Sequence, residues 1–256
     1  MHLYCSCIAP NMKYHLLCEV GPDGSTQIFV KELPGCYSRS PTFEGAVAKM
    51  PTKIREFLDW LRKNGERIED ACYEIETEVS EIVKGNWPVN LGDSQALFNA
   101  DLKPLSRDEV ERCIRYMNYA TMDLMDLYLK TPKEALEWKP DQSTPRHIKQ
   151  IAEHVAEVDL FYLERLRKRN FSDWPLNFLE VCSELSTMRL SNLSEEEMDC
   201  TLSHHPPGGW TGTTEPEGWT VRKVLRRFVW HKRLHTATVK KLNKLFEERR
   251  NDSKVR

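Results

Sequence analysis

The chain has 256 residues, 40% of them hydrophobic and 30% charged, with a formal net charge of −2. This length allows one large domain or two smaller ones, and the near-neutral charge argues against a general nucleic-acid-binding protein. No stretch approaches the ~18 apolar residues of a membrane span, and no secretory signal pattern is present. We therefore expect a cytoplasmic protein with reduced cysteines.

Residues 1–84 are predicted to form an α+β module. Residues 13–20 and 26–32 have the composition of strands, and the turn residues at 21–24 between them predict a hairpin. The chain is expected to leave the sheet after this hairpin.

A helix is predicted after Thr42, with a break at Pro51 and an end at Gly65. Residues 72–83 alternate apolar and acidic side chains, as a strand with one buried face does. The fold predicted for this module is a three-stranded antiparallel sheet packed against one helix.

Residues 85–105 lack periodicity and are interpreted as a linker, and the pattern in 106–256 is helical. The first helix is predicted to begin at Ser106 as N-cap. The second is predicted to begin with Thr144 as N-cap and Pro145 at the first helical position.

A third helix is predicted over about 175–192, and a loop rich in Gly and Pro follows at 203–219. Thr220 is predicted to cap a fourth helix that runs to about residue 248. Four amphipathic helices of this length predict an all-α four-helix bundle. The basic clusters at 165–169 and 222–233 are interpreted as solvated helix faces.

The apolar stripe of the fourth helix contains His231 and His235 at positions where the pattern calls for apolar side chains. A buried imidazole without a partner costs a few kcal/mol, so two of them need an explanation. Residues four apart on a helix lie about 6 Å apart and can share one metal ion. The alternative is a pair of core histidines that bond to carboxylates or to the backbone.

His154, near the middle of the second helix, is the candidate third ligand, since His147 lies two turns away. Three histidines leave a coordination position open for water, as catalytic sites do. Glu157, one turn after His154, is the candidate carboxylate that hydrogen-bonds a ligand or accepts a proton. The alternative is an exposed glutamate with no part in the site.

Three aromatic side chains are candidates for the walls of a pocket beside the histidines, although each also fits a helical core. They are Tyr162, Trp219 and Trp230.

The runs TPRHIKQIAEHVAEVDLFYLERL and WTVRKVLRRFVWHKRLHTATVKKL, with LEWKP before the first, resemble the DinB-like family over about 106–248. The resemblance implies a four-helix bundle whose histidine triad maps to His154, His231 and His235. It also implies a homodimer and, for some members, transferase activity with a low-molecular-weight thiol. The family's Arg-Gly-Gln after the last histidine is Thr-Ala-Thr here.

The N-terminal module resembles the HicB-like antitoxin fold. The matching residues are Leu33-Pro34-Gly35-Cys36, then Thr42-Phe43-Glu44 and Ala46. In that family the module binds a small toxin RNase. The resemblance implies a protein partner, a dimer contact or ligand sensing through this module.

Two functions follow from these patterns. The first is a metal-dependent enzyme that carries out hydrolysis or thiol transfer on a small-molecule substrate. The second is a binding or regulatory protein in which the metal is structural. A solvent-open site favours the enzyme, and a fourth protein ligand favours the second. Three nitrogen ligands suit Zn, Ni, Fe or Mn alike.

Overall fold

The computed structural model describes most of the chain as two compact units, which divide between Ala100 and Asp101 inside a short 3₁₀ helix, Asn99–Leu102. No helix among the described residues is both long and apolar enough to cross a membrane. The described residues are 12–68, 74–86, 88–89, 93–166, 179–205 and 215–255.

The first unit contains a four-stranded mixed sheet in the order β3-β2-β1-β4, covered by two helices. The predicted β1–β2 hairpin is confirmed, with antiparallel pairing between the two strands. The elements are β1 Met12–Val20, β2 Thr26–Val30, β3 Leu33–Ser40, α1 Phe43–Ala48, α2 Met50–Lys63 and β4 Ile75–Lys84.

The predicted three-stranded antiparallel sheet is wrong in two respects. The chain does not leave the sheet after the hairpin, because β3 pairs antiparallel with β2. Its inward residues are small: Cys36 and Ser38 are buried, and the Ser38 hydroxyl donates to the backbone oxygen of Ala46 in α1. β4 runs parallel to β1, since the helices between β3 and β4 form a crossover connection.

The predicted helix is confirmed with its break. The Thr42 hydroxyl caps α1 by accepting from the backbone N–H of Gly45, and Pro51 lies in the first turn of α2. Gly65, at a φ of +88°, follows the end of α2, where a left-handed backbone favours glycine. The side chains that α2 buries are Met50, Ile54, Phe57 and Leu61.

The second unit contains four long helices. Helix α3 packs against α6 and α8, and α5 packs against the same two helices. The elements are α3 Arg107–Lys130, α4 Lys133–Leu136, α5 Ile148–Glu164, α6 Leu179–Ser191, α7 Glu195–Met198, β5 Leu202–His204, β6 Glu217–Trp219 and α8 Val221–Val255.

This unit is not all-α as predicted, because β5 and β6 form a two-stranded antiparallel sheet with Leu202 opposite Trp219. Gly and Pro obscured these short strands in the sequence. One cluster of the helical core joins α3, α5 and α8, and consists of Leu124, Ile148, Ile151, Val155, Val239 and Leu242.

Of the three predicted N-cap residues, two are confirmed and one is wrong. Ser106 forms a capping box with Glu109 at the start of α3, and the Thr220 hydroxyl accepts from the backbone N–H of Lys223 in α8. Thr144 as the cap of the second helix is wrong. The cap of α5 is His147, whose ring accepts from the N–H of Gln150.

The end positions of the predicted helices also differ from the structure. Thr144 lies in a turn before α5, where its N–H and hydroxyl bond to the carboxylate of Asp141. The predicted start of the third helix, near residue 175, lies outside the described residues. The fourth helix extends beyond the predicted end at 248.

A buried carboxylate links β1 to a later segment of the first unit. Glu19 is 2% exposed, and it accepts hydrogen bonds from the Ser94 hydroxyl at 2.6 Å and from the N–H groups of Gln95 and Ala96 at 2.7 and 3.0 Å. This one side chain therefore satisfies three polar groups of residues 94–96.

We expect Glu19→Ala to lower the free energy of unfolding by about 2–4 kcal/mol, because it leaves buried donors unpaired. Urea denaturation measures the change. The control is Glu78→Ala, which removes an exposed partner of Lys13 and should lower the free energy of unfolding far less, because exposed ion pairs contribute little. Equal losses in the two variants would contradict this role of Glu19.

Candidate metal centre

Helix α8 places His231 and His235 one turn apart on the same face. Their Nε2 atoms are 3.1 Å apart, and their ring centroids are 4.5 Å apart. The i, i+4 spacing brings two imidazoles together in any helix. In this protein the same face of α8 is also the one that packs against α5.

Helix α5 contributes the third imidazole. The ring centroid of His154 lies 5.1 Å from that of His231 and 5.0 Å from that of His235. One nitrogen of each ring lies within 4.8 Å of the others. The structure thus brings together the three residues predicted as metal ligands, as a cluster that could hold a metal ion.

The chemistry of this cluster fits a transition-metal ion. Burial lowers the pKa of His154 from 6.5 to about 4, with a smaller effect from the positive charge of Arg146. Burial also lowers the pKa of His231 well below its ordinary value, and His235 lowers it further. Neutral imidazoles keep a lone pair for a metal. Donors about 2.0–2.1 Å from one tetrahedral ion lie roughly 3.3–3.4 Å apart, close to the 3.1 Å between Nε2 of His231 and Nε2 of His235.

The surroundings of the His231 ring also support its assignment as a metal ligand. Nδ1 of this ring is buried and has no hydrogen-bond partner among the described residues. The only nitrogen of His231 with a close polar neighbour in the described structure is therefore the one that faces His235. The ring is oriented toward the cluster rather than toward a carboxylate or backbone group.

The remaining candidates occupy different surroundings. Glu157 is exposed on α5. Tyr162 and Trp230 are buried, and each ring centroid lies 6.0 Å from that of His231. Trp219 is also buried, 6.1 Å from the Tyr162 ring. Tyr162 and Trp230 therefore pack against the His231 ring and Trp219 packs against Tyr162, while their role as the wall of a pocket stays a prediction.

Two other histidines of the second unit, His147 and His204, have separate roles in the described structure. His147 caps α5, as described above. Nε2 of His204 in β5 donates to the backbone oxygen of Arg165 at 2.9 Å. Neither belongs to the cluster of potential ligands.

The sequence analysis missed a buried ion pair beside the cluster. The ammonium group of Lys232 donates to the carboxylate of Asp159, and both side chains are at most 1% exposed. Burial raises the pKa of Asp159, and the charge of Lys232 opposes this effect. The pair connects the two helices that carry the ligands. Its signal in the sequence is an aspartate next to the apolar stripe of α5, beside Val158.

The basic cluster at 222–233 is not a solvated helix face, and that prediction is wrong. Lys223, Arg226, Arg227 and Lys232 are at most 4% exposed. Each has an acidic partner within the second unit, such as Asp101 for Arg226 at 3.0 Å. Asp101 and Asp159 are distant in sequence from their partners Arg226 and Lys232, so a local pattern contains no information on those two pairs. Glu217, the partner of Lys223 and Arg227, lies just before the helix.

Comparison with known proteins identifies no relative: no protein-family model, curated protein or solved structure matches this chain.

We expect Asp159→Ala to lower the free energy of unfolding by about 3–5 kcal/mol, because it leaves the Lys232 charge buried without its partner. The double variant Asp159→Leu/Lys232→Met should recover most of this loss. Chemical denaturation measures both. Glu137→Ala, which removes an exposed partner of Lys149, is the control and should lower the free energy of unfolding far less. If the double variant is as unstable as Asp159→Ala, the unpaired charge of Lys232 is not the cause of the lost stability.

We expect the metal-free protein to lose stability as the pH falls from about 6.5 toward 4. The folded-state pKa of His154 is about 4, below its ordinary 6.5, so the unfolded chain takes up the proton first. This contribution is complete above pH 6.5 and is lost as the pH falls through that range. Urea denaturation at a series of pH values measures it.

The matched variants for this titration are His154→Gln and His147→Asn. The first removes one of the two imidazoles whose pKa is lowered and should reduce the loss of stability between pH 6.5 and 4, while His231 keeps its own contribution. The second keeps a capping side chain and leaves the triad intact, so it should follow the wild type. The same pH dependence in all three proteins would contradict the role of His154.

Proposed function

We propose that this protein is a divalent-metal-dependent enzyme of DinB-like type that acts on a small molecule by hydrolysis or thiol transfer. The observation that carries the proposal is the cluster of His154, His231 and His235, whose donor nitrogens lie within 4.8 Å of one another. His154 and His235 are only partly buried. A site reached by solvent on one side suits a catalytic metal better than a structural one.

The residues of the chain have distinct parts in this proposal. The three imidazoles hold the ion, and the ion supplies Lewis acidity that lowers the pKa of a bound water or thiol. Tyr162 and Trp230 keep water away from the His231 side of the cluster. In this proposal the carboxylate of Glu157, which is exposed, accepts a proton at the solvent side.

Two further parts of the proposal concern cofactors and partners. A low-molecular-weight thiol is the expected co-substrate if the reaction is a transfer. Zn, Ni, Fe and Mn are all suitable ions for three imidazoles. The family resemblances also predict that the chain forms a homodimer and that the first unit binds a protein partner. Both stay predictions.

We expect elemental analysis of the purified full chain to find about one equivalent of a divalent transition metal. The variant His231→Ala/His235→Ala should lose it, because one imidazole alone binds weakly. The matched control is His147→Asn, which removes a histidine of the same unit and keeps the N-cap of α5. It should retain the metal. Circular dichroism establishes that the variants are folded.

The metal content of the wild type and of its variants can support or contradict the proposed enzyme. Metal lost in a folded double variant and retained in the control supports the site, and turnover of thiol-transfer or hydrolase substrates then tests the reaction. If the wild type contains no metal even after reloading, the proposed metal-dependent enzyme function is contradicted. Bound metal with no exchangeable water by relaxation measurements would instead support a structural metal.

A further inference from the structure

Strand β4 lies at one edge of the sheet in the first unit. In the order β3-β2-β1-β4 it pairs only with β1, so among the described residues its other side has no strand partner. Such an edge exposes backbone N–H and C=O groups that can pair with a further strand. β4 is ten residues long and contains no proline that would prevent this pairing.

Apolar side chains are exposed on the face of β4 that continues the buried side of β1. Val79 lies opposite Leu16, and Ile82 lies opposite Cys18. The register shifts by one residue at Ser80, which brings Val79 and Ile82 to the same face although they are three residues apart. Leu16 and Cys18 are fully buried, whereas Val79 is 37% and Ile82 is 53% exposed. The buried side of the sheet therefore ends in an exposed apolar row.

The exposed apolar residues of the first unit are concentrated at this edge. The large hydrophobic residues that the structure describes as exposed in this unit are Met12, Val79 and Ile82. Met12 is the register partner of Ile75 at the start of β4. It precedes Leu16 by four residues in β1, so its side chain points to the same face. Apolar side chains grouped in this way indicate an interaction surface more than single scattered ones do.

The opposite face of β4 is acidic. Glu76 and Glu78 are exposed and alternate with the apolar positions, so their side chains point away from the apolar row. The ammonium group of Lys13 in β1 pairs with Glu78. β4 contains three glutamates and one lysine, Lys84, which gives the strand a net charge of −2.

These two faces determine which strand fits the edge. A second copy of β4 in a two-fold antiparallel pair would place the glutamates of both copies on one face, where like charges destabilise the pairing. A strand with basic residues at alternate positions would instead meet Glu76 and Glu78 with opposite charge. Its apolar residues would then extend the row of Val79 and Ile82.

We propose that the edge of β4 is a docking surface for an extended segment of a partner protein, whose side chains alternate between apolar and basic residues. Backbone hydrogen bonds to β4 supply affinity, and the apolar and acidic faces supply specificity. No residue of the second unit takes part, so this surface is independent of the proposed metal-dependent function.

The test is fluorescence anisotropy of labelled ten-residue peptides titrated with the full chain. A peptide of alternating valine and lysine should bind, and a peptide of alternating valine and glutamate should not. Two further peptides carry N-methyl groups on all the valines or on all the lysines of the basic peptide. One of them should lose binding and the other should keep it, because only alternate N–H groups of a strand point toward its neighbour.

Variants of the full chain locate the contact. Glu76→Lys/Glu78→Lys should weaken binding of the basic peptide at least about tenfold and create binding of the acidic one, because attraction becomes repulsion. The matched control is Glu56→Lys/Asp59→Lys on α2, which changes the net charge equally at two exposed acids. It should leave the affinity unchanged.

A milder variant covers the case in which the charge reversal does not fold by circular dichroism. Ile82→Thr keeps a β-branched side chain and should weaken binding of the basic peptide about fivefold, through the loss of apolar contact. Absence of binding of the basic peptide would overturn the proposal, and so would an equal loss in the α2 control or equal effects of the two N-methylated peptides.

Sedimentation equilibrium tests the alternative occupant. The wild type should not associate through this edge, so Ile82→Thr should leave its molar mass in solution unchanged. A dimer that Ile82→Thr dissociates would place a second copy at the edge and overturn the assignment of a basic partner.

Discussion

The packing of α5 against α8 is the constraint on which the candidate site depends, because the three imidazoles come from these two helices. A single helix can bring His231 and His235 together, but His154 reaches them only through tertiary contact. The apolar side chains of Val155 and Val239 contribute to this packing, and the buried pair of Asp159 and Lys232 adds a polar contact.

A buried ion pair is a costly way to hold two helices together, since apolar residues of the same volume often stabilise a protein more. We expect its advantage to be specificity, because the ammonium group of Lys232 must lie against the carboxylate of Asp159 when the helices pack. A displacement of α8 by one turn would separate the pair and the three imidazoles together. The ion pair thus links the register of the helices to the geometry of the site.

The first turns of α8 carry further buried charge, and this charge shapes the electrostatics of the site. Arg227 and Lys232 both disfavour protonation of His231, in the same direction as burial. Neutral imidazoles at physiological pH are the form that binds a metal.

Local patterns in the sequence determined much of this protein. Turn residues predicted the β1–β2 hairpin, Thr42 and Ser106 predicted helix caps, and two histidines in an apolar stripe predicted the cluster on α8. Each of these depends on residues within a few positions of one another. The resemblance and the mid-helix position of His154 named the third ligand, but its place beside the other two required the packed helices.

Tertiary structure alone decided the features that depend on distant partners. The parallel pairing of β4 with β1 follows from the path of the intervening helices, and no pattern within 72–83 specifies it. The cations of 222–233 are buried because carboxylates such as Asp101 and Asp159 lie far away in sequence and close in space. From the sequence alone a charged residue is expected to be solvated, because the partner that offsets the cost of its desolvation is known only from the folded structure.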